Sequence, residues 1–474
     1  RAQVSSWYEL FPRSWGPTPG RHGSFRDLAN RLDYVQQLGF DVVYMPPIHP
    51  IGLAFRKGRN NTLTADANDV GSPWAIGSND GGHTAIHPQL GSFDDFEELR
   101  KRAESLGLEL ALDFALQCSP DHPWVREHPE WFRWRSDGTI RYAENPPKKY
   151  QDIVPIDFGC EAWRSLWQAI EEVVRFWVDR GVKIFRVDNP HTKPFAFWEW
   201  LISSIHRTHP EVLFLSEAFT RPKTMYRLAK LGFTQSYTYF TWRVEKQELA
   251  DYFEEVTQPP VAEFFRPNFW PNTPDILHAT LQEGGRPMFI TRLVLAALSV
   301  GNWGIYGPAF ELLDADPREP ESEEYLNSEK YELKAWKLDD PGSLAPLISQ
   351  LNALRRSEPA LATAAAPQIE SIDHPQLLAW SKHDEASGNR LVVVVCLEPS
   401  GTASGRLLLD LDRLGLPADA SLTAEELLTG ATDRWPAGAA SISLGPQRPA
   451  AVFRIHASEP LTLSQPAAPE PVAP

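Results

Sequence analysis

The chain has 474 residues, of which 42% are hydrophobic, and it carries a formal net charge of −16. This length is too great for one compact core and predicts two domains. The negative charge disfavours general binding to nucleic acid or to anionic membranes, and no apolar run is long enough to span a bilayer.

From the N-terminus, the pattern alternates between short apolar runs and longer helical stretches. It predicts strands at residues 4–11, 42–45, 108–114, 183–187, 212–215, 236–240, 262–266 and 303–306. It predicts helices at residues 24–38, 93–106, 161–180, 195–207, 223–231, 244–255 and 276–300. Two segments rich in Gly, Asn or Pro, about 46–92 and 118–160, are predicted to be long functional loops. The alternation predicts the α/β class and a (β/α)8 TIM barrel over residues 1–366.

After residue 367 the pattern changes. Short β-like runs at residues 377–380, 391–396, 405–409, 442–444 and 451–455 stand between turn signals, which is typical of antiparallel sheets. We therefore predict a C-terminal β-sandwich domain over residues 367–457. Residues 458–474 are rich in Pro and Ala and are predicted to form a disordered tail.

Three carboxylates in separate stretches carry the strongest functional signal. Asp188 and Glu217 each lie at the end of a short apolar run, and Asp275 follows Asn272-Thr273-Pro274. Acids at the carboxyl ends of different parallel strands converge on one face of a barrel, so we expect these three to meet. A retaining glycosidic mechanism needs two opposed carboxylates, and the third acid would assist them.

We assign a role to each acid from its surroundings. Asp188 is the predicted nucleophile, because Arg186, two residues earlier on the same side of a strand, would keep it ionised. Glu217 is the predicted general acid/base, since partial burial would raise its pKa. Asp275 is predicted to stabilise the transition state by binding sugar hydroxyls. A single acid after a strand is more often a helix cap or a solvated charge, so the joint pattern carries the prediction.

The sequence around these acids resembles the α-amylase superfamily, glycoside hydrolase family 13. The similar segments are Phe185-Arg186-Val187-Asp188, Phe214-Leu215-Ser216-Glu217, and Leu112-Asp113-Phe114 followed by Ser119-Pro120-Asp121-His122. Gln117-Cys118 stand where many amylases have Asn-His, a pair that serves calcium and substrate. The resemblance therefore implies no calcium site, and neither a metal nor an organic cofactor is expected.

Longer blocks resemble one subfamily, the maltosyltransferases that use α-maltose 1-phosphate. The blocks are residues 55–61, 71–77, 113–124, 144–152, 187–194, 272–277 and 328–332. The resemblance implies transfer of a maltosyl group to the non-reducing end of an α-1,4-glucan, with release of phosphate. The implied partners are α-maltose 1-phosphate and an α-1,4-glucan or maltooligosaccharide.

A sugar phosphate donor needs cationic and hydrogen-bonding groups beside its phosphate. The candidates are Asn145, Lys148 and Tyr150 in one loop, and Asn189 beside the nucleophile. The resemblance implies that the two glucose units of the donor contact Lys57, Gln117, Asp152, Lys330 and Tyr331. His83 and His122 either line this pocket or order its loops, and His191 is predicted to be structural.

Cysteine usage and the N-terminus give a further expectation about the compartment. Three cysteines are too few for a disulfide framework, and no secretory leader is visible, so we expect a cytoplasmic protein. Members of the subfamily usually carry a β-rich N-terminal domain that contributes to a homodimer. The sequence leaves both a monomer and a homodimer as alternatives for this protein. The alternatives are another retaining α-glucan hydrolase or 4-α-glucanotransferase, and a non-catalytic glucan-binding barrel.

Overall fold

The computed structural model describes residues 1–145 and 148–458. Its N-terminal sheet contains eight parallel strands, which are β1 (Ser5–Glu9), β2 (Val42–Met45), β3 (Glu109–Phe114), β4 (Ile184–Asp188), β5 (Leu213–Glu217), β6 (Gln235–Ser236), β7 (Asn268–Phe269) and β8 (Asn302–Tyr306). They run in the order β6-β5-β4-β3-β2-β1-β8-β7. A parallel bridge between Ser236 and Pro267 joins the two outer strands and closes the barrel. The prediction of a (β/α)8 barrel is confirmed.

The helices are α1 (Phe25–Ala29), α2 (Leu32–Gln37), α3 (Phe93–Ser105), α4 (Pro123–Glu127), α5 (Trp163–Val178), α6 (Phe195–His206), α7 (Pro222–Lys230), α8 (Lys246–Thr257), α9 (Ala279–Ser299), α10 (Gly307–Glu311) and α11 (Ala345–Ser357). Their apolar residues recur every three or four positions, as in α5, where Leu166, Ile170 and Val173 are buried. The predicted helix at 24–38 is two helices, because Arg31 leaves the helical conformation between α1 and α2. Ser24 still caps α1 through a reciprocal pair of hydrogen bonds with Asp27.

Two predicted strands differ from the structure. β6 ends at Ser236, and the aromatic stretch Tyr239–Trp242 forms a 3-10 helix rather than the end of a strand. The prediction at 262–266 is wrong, because Val261–Glu263 is a 3-10 turn and the strand begins only at Asn268. Phe240 is buried in the first of these turns, whereas no residue of Val261–Glu263 is buried, so a hydrophobic run alone does not identify a strand.

The segment after β3 holds the small structures that shape the site. Gln117–Cys118 pairs with Val154–Pro155 in a two-residue antiparallel ladder. Ala143–Asn145 pairs with Lys148–Tyr150 in a hairpin. Because this segment follows the carboxyl end of a barrel strand, it lies on the face where barrel enzymes bind substrates.

The C-terminal strands are β9 (Gln368–Ile372), β10 (Leu377–Asp384), β11 (Asn389–Cys396), β12 (Ala403–Leu408), β13 (Leu422–Glu426), β14 (Thr432–Trp435), β15 (Ala439–Leu444) and β16 (Ala450–Ala457). The antiparallel order is β14-β13-β16-β11-β10-β9-β12-β15. The first half of β9 pairs with β10 and its last two residues pair with β12, so the sheet turns at β9. A separate apolar cluster that includes Leu377, Val392 and Trp435 is buried among these strands.

The C-terminal sheet packs on the end of α9. Thr291 donates a hydrogen bond to the carbonyl of Cys396 at 2.9 Å, and Lys382 Nζ donates to the carbonyl of Ser299 at 3.3 Å. Within residues 1–145 and 148–458, every helix is too short or too polar to cross a membrane. Residues 459–474, nearly all of the predicted tail, lie outside the described residues.

Candidate active site

The pairing of β4 with β5 brings two of the predicted acids together. In this parallel pair Asp188 lies directly opposite Glu217, and both stand at the carboxyl ends of their strands. Neighbouring strands are about 4.8 Å apart. Side chains at adjacent strand ends can therefore reach the same small volume, as the carboxyl groups of retaining glycosidases must, since those lie about 5–5.5 Å apart.

One guanidinium contacts three carboxylates. Arg186 Nη1 lies 2.9 Å from both Asp113 Oδ2 and Asp188 Oδ1, and Nη2 lies 3.0 Å from Glu217 Oε1. The Arg186 side chain is only 7% exposed. Burial alone would lower the pKa of Arg186, but the surrounding acids, Glu217 foremost, raise it well above its usual value. Arg186 therefore stays charged and fixes the relative positions of the acids.

Burial sets the protonation of Glu217. It raises the pKa of Glu217 to about 8; Arg186 opposes this rise, and the negative charge of Asp188 adds to it. The backbone N–H of Asn189 donates to Glu217 Oε2 at 3.3 Å. Asn189 has a left-handed backbone with φ of 42°, which turns the chain directly after the strand. Near neutral pH, Glu217 is thus a carboxylic acid able to give a proton.

Asp113 is a fourth buried acid, which the sequence indicated only as part of the resemblance. Tyr44 Oη and Trp74 Nε1 donate to its Oδ2 at 2.6 and 3.3 Å. Burial raises the pKa of Asp113 to about 7, against the influence of Arg186. Asp113 is 3% exposed and supports Arg186 from below the site.

Asp275 follows β7 and has a different electrostatic environment. Lys330 Nζ lies 2.6 Å and Lys148 Nζ 3.4 Å from Asp275 Oδ1. Burial alone would raise the pKa of Asp275, but the two lysines hold it below its usual range. Asp275 is therefore ionised, whereas Glu217 is protonated.

These groups surround a cavity of about 270 Å³ at the carboxyl end of the barrel. Of the predicted residues, its lining contains Gln117, Lys148, Tyr150, Asp152, Asp188, Asn189, Glu217, Asp275, Lys330 and Tyr331. Arg186 lies beneath the acids. Lys57 is buried outside the lining, where burial lowers its pKa and Asp152 partly offsets that effect. The side chain of Asn145 lies outside the part of the chain that the structure describes.

Several lining residues were not predicted, namely Ser72, Trp74, Ile153, His191, Phe219, Trp242, Ile276 and Glu323. Phe219 and Trp242 meet edge to face with ring centres 5.0 Å apart. Trp242 Nε1 donates to Glu323 Oε1 at 2.7 Å. The abundance of aromatic residues pointed to sugar stacking in general, but nothing in the sequence singled out these two.

A buried histidine cluster lies outside the cavity lining. His83, Cys118 and His122 place potential metal-ligand atoms within 4.8 Å of one another. The backbone N–H of Trp124 donates to His122 Nδ1, so neutral His122 carries its proton on Nε2, which lies 3.0 Å from His83 Nδ1. His83 Nε2 then donates to the carbonyl of Ala115 at 2.8 Å. These hydrogen bonds give a partner to each ring nitrogen of His83 and His122, and they link the loops around β3.

The fold, together with the acids on neighbouring strands, defines a glycosidase-like barrel of the α-amylase superfamily. A family model described as alpha amylase, catalytic domain, matches residues 9–167, and one described as GLGE, C-terminal, matches residues 369–455. Among solved structures, an alpha-amylase from Lactobacillus plantarum has a TM-score of 0.73 at 20% identity, covering 95% of this chain and 98% of its own. That likeness shows the fold.

Sequence relatives identify the family more closely. The alpha-1,4-glucan:maltose-1-phosphate maltosyltransferase of Chlorobaculum tepidum is 53% identical over 463 residues, which cover 96% of this chain and 69% of the relative. The protein of the same name from Methylacidiphilum infernorum is 52% identical over 456 residues, covering 96% and 68%. The chain belongs to this maltosyltransferase family.

Proposed function

We propose that this protein transfers a maltosyl group from α-maltose 1-phosphate to the non-reducing end of an α-1,4-glucan and releases phosphate. The observation that carries the proposal is the family itself, because relatives named for this reaction are more than half identical over nearly the whole chain. The cavity supports it, since acids suited to retaining glycosyl transfer share a wall with two lysines.

The first step forms a covalent intermediate. Asp188 Oδ attacks the anomeric carbon of the donor, and the bond from that carbon to the phosphate oxygen breaks. Glu217 supplies a proton to the departing phosphate where one is needed. Asp275, kept ionised by its lysines, stabilises the positive charge that develops on the sugar. The product is a β-maltosyl ester of Asp188, and phosphate leaves.

The second step restores the α-linkage. Glu217, now a carboxylate, takes the proton from the 4-hydroxyl of the acceptor, whose oxygen attacks the anomeric carbon. The ester bond breaks, and Asp188 is regenerated as a carboxylate. Phe219 and Trp242 offer half-buried aromatic faces at the cavity wall, where an acceptor sugar would stack.

We assign the remaining groups to the two ends of the donor. Lys148, Tyr150, Asn189 and the loop that carries Asn145 would bind the phosphate. Gln117, Asp152, Lys330 and Tyr331 would bind the two glucose units, with Lys57 supporting Asp152. We place the reaction in the cytoplasm, a proposal supported by Cys118, Cys160 and Cys396, which form no disulfide.

The decisive experiment incubates the protein with α-maltose 1-phosphate and a maltooligosaccharide acceptor. We expect stoichiometric phosphate release and products that grow in steps of two glucose units by mass spectrometry. Turnover of maltooligosaccharides without phosphate, together with an inert phosphorylated donor, would instead establish a hydrolase or 4-α-glucanotransferase. An Asp188→Ala variant serves as the inactive control.

A further inference from the structure

The turn directly after β4 connects the two catalytic acids through one residue, Asn189. Its backbone N–H donates to Glu217 Oε2 at 3.3 Å, and its side-chain Nδ2 donates to Asp188 Oδ2 at 3.4 Å. A hydrogen bond from an N–H group favours the carboxylate form of an acid over its protonated form. The conformation of this one residue therefore affects both the nucleophile and the general acid/base.

The backbone of Asn189 is in a conformation that its local sequence does not favour. Its φ of 42° and ψ of 53° lie in the left-handed region, which is unfavourable for L-residues, although asparagine tolerates it better than most. Pro190 follows, and a residue before proline is normally restricted to the extended region. Contacts with the surrounding chain must therefore hold the turn.

The residues that follow Asn189 supply these contacts. The carbonyl of Asn189 accepts hydrogen bonds from Thr192 Oγ1 at 2.8 Å, from the Thr192 backbone N–H at 3.2 Å and from Lys193 Nζ at 3.4 Å. The next carbonyl, that of Pro190, accepts from Trp198 Nε1 at 2.8 Å, which ties the turn to α6. Of the bonds to the Asn189 carbonyl, the one from the Thr192 hydroxyl is the shortest.

Thr192 is placed so that its hydroxyl, rather than its packing, matters. The residue is exposed, so valine, which has nearly the same shape, could replace it with little effect on the core. The free energy of one hydrogen bond is of the same order as the cost of one left-handed residue. Loss of this hydroxyl is therefore sufficient to loosen the turn at Asn189.

We propose that Thr192 is a positioning residue of the reaction, because its hydroxyl holds Asn189 in the left-handed turn from which Asn189 contacts both catalytic acids. The inference rests on the proposed function, in which Asp188 is the nucleophile and Glu217 the general acid/base. Thr192 is not among the residues that line the catalytic cavity, so it acts on the substrate through Asn189.

Loosening of the turn should change the protonation of Glu217. The backbone N–H of Asn189 lowers the pKa of Glu217, against the larger effect of burial, which raises it. When this contact weakens, the pKa of Glu217 should rise further. The other charged or titratable groups that act on Glu217 keep their identity in a Thr192 variant, and they are Arg186, Asp188, Asp275, Glu9, Tyr237 and Lys193.

The test compares the wild-type chain with Thr192→Val, Thr192→Ser and the control Thr220→Val. Serine keeps the hydroxyl that valine lacks. Thr220 is a matched control, because it follows the other catalytic strand and its hydroxyl donates to the carbonyl of Arg221, at 3.3 Å, rather than to that of Asn189. Phosphate release gives kcat/KM for α-maltose 1-phosphate from about pH 7 to about pH 10, since the pH dependence of kcat/KM reports ionisation in the free enzyme. Circular dichroism checks the folding of each variant.

We expect the alkaline limb of the Thr192→Val profile to move up by roughly half a pH unit, with a fall of roughly threefold in kcat/KM at neutral pH. Thr192→Ser and Thr220→Val should keep the wild-type limb. An unmoved limb in folded Thr192→Val, or the same shift in either of the other two variants, would overturn the proposal. Failure of the proposed function would appear separately, as no phosphate release by the wild type, and the profiles would then be measured by cleavage of maltotetraose.

Discussion

Removal of the Lys148 ammonium is the most direct test of the phosphate end of the cavity. Lys148 stands in the Lys148–Tyr150 strand, which projects into the cavity, and its Nζ lies 3.4 Å from Asp275 Oδ1. A Lys148→Ala change would thus remove a cation from the donor phosphate and also one of the two lysines facing Asp275. The two effects can be separated, because only the first depends on the leaving group.

The size of the first effect follows from the chemistry of the contact. A hydrogen bond to a charged group contributes about 1.5–3 kcal/mol. At 1.36 kcal/mol for each factor of ten, kcat/KM for α-maltose 1-phosphate should fall roughly 10- to 150-fold. With α-maltosyl fluoride, which has no phosphate, the fall should be limited to the effect on Asp275. That effect is small, since Lys330 remains 2.6 Å from the same oxygen.

The assay measures release of phosphate and of fluoride by wild type, Lys148→Ala and Lys149→Ala. Lys149 is the matched control, because it is the neighbouring lysine on the same strand but has an exposed side chain on the opposite face. It should behave as wild type with both donors. Equal losses with the two donors in Lys148→Ala would show that Lys148 acts through Asp275 alone, and the phosphate assignment would be wrong.

Four further outcomes are expected. Glu217→Ala should accumulate a covalent maltosyl ester, seen by mass spectrometry of the intact protein, because its second step lacks a base. KM for the phosphorylated donor should rise above about pH 8, where Glu217 loses its proton, while KM for maltosyl fluoride stays level. Burial lowers the pKa of Lys382 to about 7, so above that pH the unfolded state binds more protons than the folded state. The free energy of unfolding of the wild type, measured in denaturant, should therefore rise with pH above about 7. Lys382→Met should abolish this rise. Gly82→Ala should destabilise the fold by roughly 1–3 kcal/mol, since its Cβ would lie 2.3 Å from His122 Nε2, whereas Gly401→Ala, with open space around it, should not.

The barrel could be predicted where its strands are long and buried on both faces. Such strands read as continuous apolar runs, and six of the eight were placed within a few residues. β6 and β7 have two residues each, too few for any pattern to emerge. In the C-terminal sheet, the strands Gln368–Ile372, Leu422–Glu426 and Thr432–Trp435 are not among the predicted ones, because each contains several polar residues and lacks a continuous apolar run.

The site could be predicted in part because its acids are tied to strand ends. The positions of Asp188 and Glu217 follow from the strands that carry them, and parallel pairing then brings them together. Phe219, Trp242 and Glu323 come from loops, whose paths depend on packing between distant segments. The same dependence explains why Lys57 lies outside the cavity lining although its loop was identified.

Charge balance connects the protonation of Glu217 to the choice of a phosphorylated donor. With Glu217 neutral, Arg186 still contacts Asp113 and Asp188, and two lysines face the single carboxylate of Asp275. The negative charge that a phosphate dianion meets in the cavity is then smaller by the charge of Glu217. An ionised Glu217 would add a negative charge in a poorly solvated space, where Coulomb repulsion is strong. The proton on Glu217 therefore serves two purposes, because it is available to the leaving group and it also lets an anionic donor enter.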